Sequence, residues 1–84
     1  MGATQVSRTT SLQTLVQGLE DDAARMALYA TQLDAVADRL GTAGQAPRWC
    51  ETTLRGQAAR CSEAAAALRE AAFQLQQHLT AVHL

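Results

Sequence analysis

Lysine is missing from this chain. All seven basic side chains are arginine, and eight carboxylates offset them to a net charge of −1. Nucleic-acid binding calls for a basic patch, and recruitment to an anionic membrane calls for a basic cluster; this mixed, near-neutral pattern supplies neither. Aromatics are scarce as well, at 4%, with one Trp, one Tyr and one Phe. The apolar share of 48% is therefore largely alanine, which favours helix but buries little area. No run approaches the ~20 apolar residues of a membrane span. The polar stretch 1–10 lacks the apolar core of a Sec signal, so the expectation is a chain made in the cytosol. The only two cysteines, Cys50 and Cys61, stand about 16 Å apart if they share a helix, too far for a disulfide between them. They read as free thiols, or, in a sharper reading, Cys50 bonds a second chain. No zinc-ligand spacing is present.

The sequence does contain periodicity. From Leu54 every seventh residue is apolar: Leu54, Cys61, Leu68, Leu75, Val82. A matching ladder precedes it: Leu12, Leu19, Met26, Leu33, Leu40, with Leu15, Tyr29 and Val36 on a second line and Val16, Ala23, Ala30 and Ala37 beside it. Seven residues bring an α-helix back to nearly the same face, so each ladder is a stripe along one rod. The first helix is expected over about 11–40, capped at Thr10 or Ser11, after a flexible leader at 1–9. Gly41 is placed to cap its C-terminus, 41–46 to form the turn, and Pro47 to open a second helix over about 47–82. So short a connection makes the rods antiparallel. The fold class is all-α: an antiparallel two-helix hairpin at 10–84, with the two ladders as its seam.

Asp22 falls inside that seam and needs either water or Arg69 beside it, because a buried unpaired carboxylate is costly. Asp21 and Arg25 are spaced i, i+4 for an ion pair. Trp49 is expected to pack on Leu40 at the hairpin end, Cys61 to lie near Met26, and Leu12 near Leu75 or Leu79.

No catalytic, cofactor or metal site emerges. His78 and His83 are five apart and cannot chelate one metal. Asp34 and Asp38 read as a solvated face, Gly41 and Gly44 lack the context of a phosphate loop, and Ser62 has no base at a useful spacing. Apolar residues remain off the seam, however: Leu28 on helix 1, and the seven-residue line Ala59, Ala66, Phe73 on helix 2. With Trp49 these are the expected partner interface, completing a four-helix bundle with another helical chain or a second copy.

The run Trp49-Cys50-Glu51, followed by Leu54, Ala58, Cys61, Ala65, Leu68, Ala72, Leu75 and His78, resembles the WXG100 family of ESX proteins, which are helical hairpins with a Trp at the turn. Glu51 stands where that family has its glycine, and no Tyr follows Tyr29 to form a C-terminal export signature. The resemblance implies a non-enzymatic member that pairs with an ESX-like or toxin-linked chain and depends on it for export through a type VII secretion system. The rival expectation is a cytosolic, self-associating scaffold or regulatory subunit. A third is a small subunit that supports a catalytic chain.

Overall fold

A computed structural model describes residues 2–82, with side chains from residue 6 onward. It is an antiparallel helical hairpin: α1 runs Gly2–Ala43 and α2 runs Arg48–Val82. The rod measures 65 × 16 × 13 Å, its long axis close to the ~63 Å that the residues of α1 span at 1.5 Å each.

α1 starts nine residues before the expected position, and residues 2–9, expected as part of a flexible leader, are helical. Thr10 and Ser11 are interior to the helix. The Thr14 hydroxyl donates to the Thr10 carbonyl at 3.0 Å, one turn back, the bond a helical threonine makes in place of a cap. Nothing between Ala3 and Gln17 is a glycine or proline, so nothing local stops the helix there.

The C-terminal end of α1 is also displaced. The helix passes through Gly41, and the left-handed residue is Gly44, at φ 67°. Its N–H donates to the Leu40 carbonyl at 3.2 Å, the single bond of an αL cap. Gly41 has a different role: a Cβ there would stand 3.1 Å from Glu51 Oε2, so the missing side chain lets that carboxylate lie against α1. Pro47 directly precedes α2, and its carbonyl accepts from Cys50 N–H at 3.0 Å, closing the first turn.

The middle of the seam is not the leucine ladder. The buried residues are Val16, Ala23, Ala30 and Ala37 on α1 and Ala58, Ala65, Ala72 and Leu79 on α2. Both sets repeat every seven residues and run in opposite directions, with Val16 packed in one cluster with Ala72 and Leu79. Alanine at the contact lets two backbones approach closely, and each buried methyl contributes only about 0.8 kcal/mol. The expected seam residues Leu12, Leu19, Met26, Leu33, Leu40, Leu54, Cys61, Leu68 and Leu75 are half-buried, and Val82 is exposed. Leu12, Leu19 and Leu75 pack against the cluster, which holds Leu79, from its edge. Cys61 shares a groove with Tyr29, Leu33 and Val36.

Candidate partner-docking face

The half-buried leucines have a common geometry. A residue three after a buried alanine lies about 60° to one side of the seam, and a residue one before it lies about 100° to the same side. On α1 these positions are Leu12, Leu19, Met26, Leu33 and Leu40, then Leu15, Tyr29 and Val36. On α2 they are Leu54, Cys61, Leu68, Leu75 and Val82, then Cys50, Ala64 and Ala71. Two antiparallel helices that face each other carry the same sense of rotation onto the same side of the pair. The two leucine lines therefore make one largely apolar face, interrupted by Asp22, Gln57 and His78. A shallow groove of about 300 Å³ crosses it, lined by Tyr29, Gln32, Leu33 and Val36 from α1 and Cys61 from α2. Both cysteines are free and half-buried, and both lie on this side.

The opposite side is charged. Residues four after and one after the buried line include Glu20, Asp34 and Asp38 on α1 and Arg55 and Arg69 on α2. Arg55 spans the hairpin: Nη2 lies 2.7 Å from Asp38 Oδ1 and 2.9 Å from Glu51 Oε1, and Nη1 lies 3.6 Å from Asp34 Oδ1. The Asp38 hydrogen bond, then the Glu51 one, raise the guanidinium pKa above its ordinary value. Asp34 and Asp38 are thus more than a solvated acidic face, since an arginine from the other helix binds both. The sequence signal was Glu51 four residues before Arg55, with both beside the turn.

The expected partner residues are not gathered on one surface. Phe73, 59% exposed, borders a groove with Glu20, Arg69 and Gln76, and Ala59 and Ala66 share its line. Leu28, 53% exposed, is on the back of α1. The Glu20, Asp34, Arg55 and Arg69 rows separate them. Trp49, expected against Leu40, is 68% exposed just beyond the turn.

Other sequence expectations resolve locally. Asp22 is exposed and pairs with Arg25 at 3.8 Å, so water and an intrahelical arginine serve it rather than Arg69. Arg25 thereby takes Asp22 and not Asp21, which accepts instead from Gln17 Nε2 at 3.0 Å. His78 and Ser62 are exposed; His83 lies outside the described residues. Among the described residues no three His, Cys, Asp or Glu side chains converge on a point, and no helix is long and apolar enough to cross a membrane. Compared with protein-family models, with curated proteins and with solved structures, the chain matches none.

Proposed function

We propose that this chain is a non-enzymatic helical partner protein: half of a four-helix bundle, which pairs through its leucine face with another helical chain. The supporting observation is surface. The accessible area is 6145 Å², whereas a compact protein of 9.0 kDa exposes about 4,850 Å². The excess of about 1,300 Å² exceeds the ~800 Å² that each side of a standard interface buries. The radius of gyration, 18.9 Å, likewise exceeds the ~12 Å of a globule of this length. The leucine lines lie between the direction of the other helix and the direction of the open face. Core side chains of a four-helix bundle occupy that position.

The narrower reading is the one the WXG100 resemblance implies: pairing with an ESX-like or toxin-linked chain for type VII secretion. An exposed Trp49 beside the turn suits a contact made by that end of the hairpin. A homodimeric scaffold would use the same face. The test is light scattering of the purified chain, alone and with the products of neighbouring genes, alongside a Leu33→Gln/Leu68→Gln variant. The proposal expects a four-helix complex that the variant loses while remaining helical. A well-folded wild-type monomer that binds none of them overturns it.

A further inference from the structure

The net charge of −1 conceals a division between the two sides of the hairpin. Arg8 and Asp22 fall within the leucine side, and Arg25, Arg39 and Arg60 sit two residues after a buried alanine, on its outer flank. Asp21, Glu63 and Glu70 lie two residues before a buried alanine, on the back of each helix beside the arginine row; Glu20, Asp34 and Asp38 lie on the far side, and Glu51 at the seam end. A second pair of helices laid on the leucine face would have Arg25, Arg39 and Arg60 along its outer grooves, where charged side chains of a bundle decide partner choice. Among the described residues Arg39 and Arg60 form no ion pair, and Arg25 has only the 3.8 Å contact with Asp22. Two copies face to face would place arginine on both sides of the outer grooves and no carboxylate row opposite it.

We infer that the leucine face is built for a helical chain whose own apolar face is flanked by carboxylates, and that its arginine flank disfavours a second copy. This rests on the pairing proposed above and specifies the partner's chemistry. Charge complementarity at a flank sets specificity and encounter rate more than total affinity. A lipid surface is the other apolar-and-anionic candidate. The hairpin's leucine face is the weaker match for it, because Asp22, Gln57 and His78 lie within that face.

The experiment uses the chain itself as probe. An Arg25→Glu/Arg39→Glu/Arg60→Glu variant keeps the leucine face and makes its flank acidic. Circular dichroism checks its fold, and the corresponding Gln variant serves as a neutral control. Mixed with wild type at low salt, the acidic variant is expected to form a 1:1 complex at least about tenfold tighter than wild-type self-association. The Gln variant should fall between, and the preference should shrink toward unity at about 0.5 M salt. Equal affinity of wild type for itself and for the acidic variant overturns the charge inference and leaves pairing by the leucine face standing. Association in none of the mixtures overturns the charge inference, while pairing with another chain stands or falls on the light scattering with neighbouring gene products. Binding of wild type to phosphatidylglycerol vesicles, with no complex to the acidic variant, overturns the inference in favour of a membrane.

Discussion

Arg55 on α2 donates from Nη2 to Asp38 on α1 at 2.7 Å, across the hairpin and within two turns of the loop. It also donates to Glu51 from both Nε and Nη2, so one guanidinium ties the start of α2 to the end of α1. Arg55, Asp38 and Glu51 are each at least a third exposed, which makes the cluster sensitive to salt. Arg55→Met should lower the thermal midpoint modestly at low ionic strength and scarcely at all in about 1 M salt, where the Debye length falls to about 3 Å. The raised pKa of Arg55 stabilises the fold wherever the group is protonated in the unfolded chain, and that contribution is lost only in strong alkali. Thermal melts between about pH 6 and pH 9 should therefore show the same wild-type-minus-Arg55→Met difference. A difference that changes across that window would mean another titrating group controls the cluster.

Two glycines should respond in opposite directions to alanine. Gly44 sits at φ 67°, a conformation that costs an L-residue about 1 kcal/mol or more. Gly44→Ala should destabilise by that amount although nothing lies within 4 Å of the new methyl. Gly18 is an exposed interior position of α1, also with nothing within 4 Å. Gly18→Ala should stabilise by about 0.5–1 kcal/mol, through helix propensity and a less flexible unfolded chain. Urea denaturation of both variants measures each sign directly.

The sequence made the hairpin legible and misplaced its centre, for one reason. Heptad spacing reports which residues share a face and is blind to which of two adjacent lines points at the other helix. Weighing hydrophobicity favours Leu33 and Leu68 over Ala30 and Ala65, but close approach between backbones favours the small side chains. The tell-tale was that both alanine lines, Ala23 to Ala37 and Ala58 to Ala72, run unbroken beside the leucines. Shifting the contact to those lines turns the leucines outward onto a common face. Phe73 moves onto the charged side with it, and Leu28 onto the back of α1. The helix ends were misread because Thr10 and Gly41 carry cap-forming side chains or none, and such residues also fit a helix that continues past them.

Neighbouring alanines can separate the seam from the surface. Ala65 is completely buried while Ala66 is exposed. Ala65→Leu forces three extra carbons between the helices and should cost about 1–3 kcal/mol or prevent the close packing altogether. Ala66→Leu should change stability by no more than about 0.5 kcal/mol. Chemical denaturation of the two variants compares them with identical chemistry at adjacent positions. Equal losses would mean that the seam is not where the alanines meet.

Leu68 tests the division between hairpin and assembly. A leucine at the middle of a closed core loses about 2–5 kcal/mol on truncation to alanine. Here Leu68 is half-buried, so the hairpin by itself gains only part of that burial and the docked partner supplies the rest. Leu68→Ala should therefore lower the helical signal little in dilute solution, where the chain is unpaired. It should weaken the complex with a helical partner by about tenfold or more, which is at least about 1.4 kcal/mol. Phe73→Ala, on the charged side, should leave both readings close to wild type. Titration of each variant into a fixed concentration of partner, followed by circular dichroism, gives both quantities in one measurement. A Phe73→Ala loss of affinity equal to that of Leu68→Ala would move the docking face to the charged side of the hairpin.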